Sequence, residues 1–181
     1  MNGIKLKIIQ LLIFKILIIG LISPTCLFAQ EKGSSYRLRS LIAKGKYVSA
    51  TRNAIIWNGW GFGQSSWGYK KTVDGNTFEL NNITQDFSYT FGSEWSLTLG
   101  AGFNLSGKGT ITSTSREYKT TKVTGNYNFA VLGIEFGIIE VLVGYRKDDF
   151  EYSEFSDSST TLETKHKVSG GIMLTGLGLS F

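Results

Sequence analysis

The chain has one cysteine, one proline and one histidine among 181 residues. Cys26 and Pro24 both precede Gln30. Beyond that point there is no thiol, which excludes disulfide bracing, thiol chemistry and cysteine-based metal sites. His166 stands alone, which excludes a multi-histidine metal centre. After Pro24 no proline interrupts backbone pairing. Charge is scarce as well, at 18% of residues. The formal +5 includes Lys5, Lys7 and Lys15 in a leader without acids; of 19 basic residues 16 remain against 14 acidic ones. Such a balance points to no nucleic-acid partner. Also missing is any long helical period after the leader. What is abundant is glycine, with 22 residues, and aromatics, at 13%.

Residues 1–29 read as a secretory signal. Lys5, Lys7 and Lys15 supply the charged region, Ile16–Ile22 is a short apolar run, Pro24 breaks the helix and Ala29 offers a small residue for cleavage. An uncleaved anchor and a lipid-bearing Cys26 are the weaker alternatives. Residues 30–52 are polar and basic, and read either as a short helix or as an extra strand. Residues 53–181 alternate between strand and turn.

The final stretch is the organising one. Phe181, Leu179, Leu177, Thr175 and Met173 share one face of an extended strand, and Ser180, Gly178, Gly176 and Leu174 share the other. Trp95–Thr112 alternates most clearly, with Trp95, Leu97, Leu99, Ala101, Phe103 and Leu105 on one face and small or polar residues on the other. Further strands are expected over Asn53–Lys71, Thr77–Phe91, Tyr118–Phe136, Glu140–Phe155 and from Thr160 onward. Asp74-Gly75 marks a hairpin, and a change of apolar parity at Leu132 suggests a bulge. This is an all-β, antiparallel up-and-down meander with six strands by pattern, or eight if residues 30–52 and the long first stretch supply two more.

Short turns at Gly92–Glu94 and Gly137–Ile139 share an end with both termini, and longer polar loops occupy the other end. Phe91, Trp95, Phe136 and Phe181 cluster at the short-turn end; Trp67, Tyr69, Phe78, Tyr118, Phe150 and Tyr152 lie towards the loops. Two aromatic girdles of this kind suit a transmembrane β-barrel. The competing reading is a soluble periplasmic lipid-binding barrel, with Leu97, Leu99, Phe103, Leu177 and Leu179 turned inward.

In its strands, turn asymmetry and terminal aromatic, Asn53–Phe181 resembles the small bacterial outer-membrane barrels of the OmpA/OmpX type. The resemblance implies export, residence among outer-membrane lipid and lipopolysaccharide with both termini periplasmic, and insertion by the barrel assembly machinery. Leu177, Leu179 and Phe181 would be the signal read by that machinery.

Few residues suggest chemistry. Asp86 and Arg146 are expected to face the lumen at similar depth, where buried charges need partners. A filled barrel is the plainer expectation and a narrow solute channel the alternative. Lys108, Asp148 and His166 share the inward parity. Lys119, Lys147, Lys165 and Lys167 share the lipid-facing parity near the loop end, where ammonium groups can meet lipopolysaccharide phosphates or simply form a solvated rim. Gly59, Gly61 and Gly63 lack the Lys-Ser/Thr of a phosphate loop. No serine is linked to His166 by a motif. No cofactor, no metal and no enzymatic activity are expected.

Overall fold

The computed structural model describes residues 35–113, 116–157, 159–162 and 164–181. The signal-peptide reading over residues 1–29 lies outside the described residues. The rest is one antiparallel sheet of eleven strands: β1 Tyr36–Lys44, β2 Val48–Trp57, β3 Trp60–Val73, β4 Asn76–Phe91, β5 Trp95–Thr112, β6 Glu117–Thr120, β7 Lys122–Phe136, β8 Ile139–Ser153, β9 Phe155–Ser156, β10 Thr161–Leu162 and β11 His166–Ser180. Eight of them, β1–β5, β7, β8 and β11, close a ring. β1 pairs with β11 at the seam, β5 pairs with β7 and β8 with β11 across the excursions that carry the three short strands, and the remaining neighbours are consecutive hairpins. The three short strands extend the loop end beyond β5.

Eight strands replace the six that pattern alone supplies. The two additional ones come from β1 and from the start of β2, so the barrel begins at Tyr36, and residues 36–44 and 48–52 are strand joined by a tight turn at Gly45–Tyr47. Asn58-Gly59 splits the expected first strand. Both residues have positive φ, 49° and 84°, as a two-residue hairpin turn requires, and Asp74-Gly75 repeats this at 50° and 77°. The bulge also moves. β7 pairs with β5 and β8 without a break, whereas the register shifts between Ile83 and Thr84, opposite β5. Leu105 is the extra residue, and parity flips beyond it. Gly107 and Gly109 thus turn inward, and Lys108 projects outward instead of into the lumen. The parity change expected in β7 arises because both its faces are apolar: Tyr127, Phe129 and Val131 pack inside, while Leu132, Ile134 and Phe136 look out.

The polarity of the outer face settles which medium touches it. Leu99, Phe103, Leu177 and Leu179 are 46%, 46%, 61% and 40% exposed, and Leu97 shares their face. A soluble lipid-binding barrel would hold these side chains inside. At the short-turn end Tyr36, Trp57, Trp60, Phe91, Trp95, Phe136 and Phe181 form an outward aromatic ring. The expected second girdle is largely interior: Trp67, Phe150 and Tyr152 are buried, and Tyr69 and Tyr118 pack against them. The outward aromatics on that side are Phe103, Tyr145 and Tyr47. Strand parity after the Asn58-Gly59 turn sends Trp67 inward, because a strand alternates faces at every residue.

Candidate functional site

The interior is a column of paired charges. Nearest the short turns, the buried carboxylate of Glu140 accepts hydrogen bonds from Arg37 Nη1 at 3.0 Å, Arg39 Nε at 2.7 Å and Ser96 Oγ at 2.7 Å. Arg39 also donates to Thr98 Oγ1 and to Ser96 Oγ. Arg37 reaches past Glu140 to the carbonyls of Gly92 and Ser93 at 3.2 and 3.1 Å, tying the column to the β4–β5 turn. Glu140 occupies this place because it is the inward residue beside the Gly137-Ile138 turn of β8.

One layer up, Arg52 of β2 grips Asp86 of β4 with two parallel bonds, Nε to Oδ2 at 3.0 Å and Nη2 to Oδ1 at 2.6 Å. Between these strands lies Gly63, paired with Ala54 on one side and Asp86 on the other. A Cβ there would stand 2.7 Å from the Asp86 carboxylate and 3.0 Å from the Arg52 guanidinium, so only glycine leaves the pair room to meet. Gly100 and Gly102 do the same for Phe129 and Tyr127, whose rings fill the space a side chain would take. The Tyr127 hydroxyl donates to Asp86 Oδ2 at 2.6 Å, and Arg52 lies 4.2 Å over the Phe129 ring. Arg146 rests 3.6 Å over Tyr127 and donates Nε to Asp148 Oδ1 at 2.6 Å.

Asp86 and Arg146 therefore both point into the barrel, yet they do not pair with each other. Arg52 holds Asp86, Asp148 holds Arg146, and Tyr127 stands between the two pairs. Of the residues that make this column, sequence reasoning missed Arg37, Arg39, Arg52, Glu140 and Tyr127. Arg37 and Arg39 carry a visible signal, since two arginines at the same strand parity must both face in or both face out. Four buried arginines face three buried carboxylates, and every one of the seven makes at least one ionic contact.

Above the column the interior is mostly apolar, with buried Asn82 accepting a hydrogen bond from the Tyr152 hydroxyl. Trp67 packs on Phe150 with ring centroids 5.0 Å apart, among Leu80, Tyr152 and Phe155. At the loop end His166 stacks on Phe78 at 4.6 Å, and burial pushes its pKa below the usual value. Column and aromatic cluster together occupy the lumen with side chains, as expected for an eight-stranded barrel. Among the described residues no group of acids, histidines or cysteines could hold a metal ion.

The rim lysines point outward and are exposed. Lys119 meets Glu117 at 3.2 Å, Lys165 meets Glu151 at 2.9 Å and Lys167 meets Asp149 at 3.3 Å. Lys147 follows Tyr145 up the same outer face of β8. The hydrogen bond to Glu151 raises the Lys165 pKa. Exposed pairs of this kind are weak and exchange readily with other anions. In the loop between β9 and β10, Asp157 accepts from the backbone N–H of Ser159 and Thr160 at 2.8 and 2.7 Å, which lowers its pKa.

No protein-family model matches the chain, and no curated protein matches it in sequence. Solved structures do match. The crystal structure of Neisserial surface protein A superposes with a TM-score of 0.57 at 14% identity, covering 83% of this chain and 100% of that one. The N-terminal β-barrel domain of Pseudomonas aeruginosa OprF gives 0.49 at 12% identity, over 82% and 100%. The attachment invasion locus protein Ail of Yersinia pestis gives 0.45 at 19% identity, over 83% and 100%. At these identities the likeness is one of fold: the chain is a closed eight-stranded antiparallel barrel, as Neisserial surface protein A is.

Proposed function

We propose that the protein resides in the outer membrane of a Gram-negative bacterium, with both chain ends periplasmic, and serves a structural or surface-interaction role without enzymatic activity. The observation that carries this reading is the joint polarity of the wall. The outer face is apolar and ringed by aromatics near the short turns, while charges and hydroxyls are sequestered inside. A closed barrel leaves no unpaired sheet edge in hydrocarbon, which is the condition for crossing it with strands.

The loop end is the part free to meet a partner. There Lys119, Lys147, Lys165 and Lys167 stand where lipopolysaccharide phosphates would lie, and their exposed carboxylate partners are weak competitors. At the other end Leu177, Leu179 and Phe181 supply an outward apolar strand for the barrel assembly machinery. A narrow channel is the second reading. Against it stand the Arg52–Asp86 and Arg146–Asp148 pairs and the Tyr127 ring, which cross the lumen at mid-height.

Membrane fractionation with heat-modifiable gel migration tests the first reading. The protein should sediment with outer membranes and run faster unheated than boiled; release by osmotic shock without detergent would overturn it. Planar bilayers test the second. No unitary conductance steps are expected, and steps abolished by Asp86→Ala or Arg146→Ala would reverse the choice.

A further inference from the structure

The apolar belt is uneven in height. A strand that rises about 3.3 Å per residue and tilts by about 40° climbs roughly 2.5 Å per residue. On β5 the outward residues stay apolar from Trp95 through Leu105, about 25 Å higher, which is the height of a full hydrocarbon belt. On β8 the first outward polar residue is Lys147, about 20 Å above Ile139. On β2 and β3 it is Asn53 and Gln64, only about 10 Å above Trp57 and Trp60. Asn53 and Gln64 are cross-strand partners, and both are exposed. Their row runs on to Ser40 of β1 and Gln85 of β4. Above it the outward residues of β2 and β3 are Thr51 opposite Ser66 and Ser49 opposite Gly68, polar or small throughout. Ile42 and Ile83, next above Ser40 and Gln85, bound this polar sector on its flanks. At its top lies a recess of about 220 Å³, lined in part by Lys44, Lys46, Tyr47, Ser49, Lys70 and Glu79. Three ammonium groups share that recess with one carboxylate, Glu79, which meets Lys70 at 3.2 Å.

Hydrocarbon offers a carboxamide no partner, and leaving one unpaired there is costly. Thinning a bilayer costs far less per ångström. Resting on the outer-membrane reading above, we propose that the bilayer is locally thinned against β2 and β3. Its loop-side hydrocarbon boundary lies at the Asn53–Gln64 row there, and lipid headgroups cover the wall above that row. Two observations select headgroups as the cover. The polar wall of β2 and β3 is continuous from Asn53 and Gln64 up to the water-exposed half, so no apolar side chain on these strands is left among headgroups. The charge at its top also suits a phosphate. Lys44 pairs with Ser49, about 10 Å above Asn53, so its long side chain reaches down to the phosphates of headgroups resting on the row. On β5 and β8, where the wall stays apolar for about 20–25 Å, the hydrocarbon keeps its ordinary thickness.

Spin labels report depth directly. The full-length chain, with Cys26→Ser, is given single cysteines by Asn53→Cys or Gln64→Cys in the polar sector and by Ala101→Cys or Val143→Cys at similar height on β5 and β8. Each is labelled and placed in dimyristoylphosphatidylcholine vesicles. Labels at the first two sites should collide with a water-soluble nickel chelate several-fold more than labels at the second two, which should favour oxygen. Oxygen-favouring labels at all four sites would overturn the proposal. So would labels at Asn53→Cys and Gln64→Cys shielded from both probes, since a protein partner would then cover the wall. Chain length supplies a second readout. The urea midpoint should be highest in short-chain phosphatidylcholine, and Asn53→Leu combined with Gln64→Leu should shift that optimum to longer chains. An optimum that does not move would likewise sink the thinning. Heat-modifiable migration is followed for every variant. If it persists while all labels sit in hydrocarbon, the thinning is wrong and the barrel reading stands; if it is lost in the Cys26→Ser parent, the barrel reading itself fails.

Discussion

The two halves of the barrel are built inside out relative to each other. Towards the short turns the wall shows Leu99, Val141, Val143 and Leu177 to the outside and keeps Arg39, Arg52, Asp86 and Glu140 within. Towards the loops the outside carries Lys70, Glu79, Glu151 and Lys167, and the inside holds Trp67, Leu80, Phe150 and Phe155. Single strands make the switch: β8 runs from outward Val141 and inward Glu140 to outward Glu151 and inward Phe150. Strands of 14 to 18 residues in β3–β5, β7, β8 and β11 exceed the roughly 9–11 that a bilayer crossing needs. The excess length is therefore a water-exposed barrel with an ordinary apolar core, standing on a lipid-exposed barrel with a polar one. The same backbone serves both because its hydrogen bonds are complete in either medium.

The comparison breaks most sharply at Glu140. Glu140→Ala strands Arg37 and Arg39 without their shared carboxylate and should cost about 3–5 kcal/mol in urea unfolding from lipid vesicles. A loss below about 1 kcal/mol would mean that water, and not this carboxylate, solvates the arginines. Arginine scanning of the outer wall comes next. Leu99→Arg should cost about 2–4 kcal/mol, while Ser169→Arg, on the outer face of the loop half, should cost about 0–1 kcal/mol. Equal costs would deny that the two halves sit in different media. Within the apolar core, Phe150→Leu should lose about 1–2 kcal/mol and loosen the loop end first, which hydrogen exchange can resolve.

The smallest effect is a pH dependence. Burial lowers the His166 pKa in the folded state, so the folded protein binds fewer protons than the unfolded chain. Stability should then be constant well above the unfolded value of about 6.5 and fall as pH drops through it. His166→Phe should remove that slope from denaturation midpoints taken between neutral and mildly acidic pH. An unchanged slope would assign it to another group.

Much of this was legible beforehand. Trp95–Thr112 matches β5 residue for residue, because one face is apolar, the other small or polar, and only a period of two fits. The outward set on the terminal strand was equally plain. The Asn58-Gly59 turn carries the Asn-Gly signal of a hairpin, but Ile55, Ile56, Trp57 and Trp60 flank it so closely that the stretch reads as one long apolar strand. The aromatics of the loop half were misplaced for a related reason: a ring facing lipid and a ring facing a core leave the same alternation. Nor did local pattern show Arg52 as the partner of Asp86, since the two are separated by a strand and joined only across Gly63.

What the sequence alone determined is the extended, alternating backbone, most of its turns and the apolar identity of one face, since each of these depends on neighbours along the chain. The closed ring decided the rest: which charges meet, which aromatics turn inward, and at what height the wall reverses its polarity. Those choices depend on residues one or two strands away and on the surrounding medium, and neither is written in the local order of side chains.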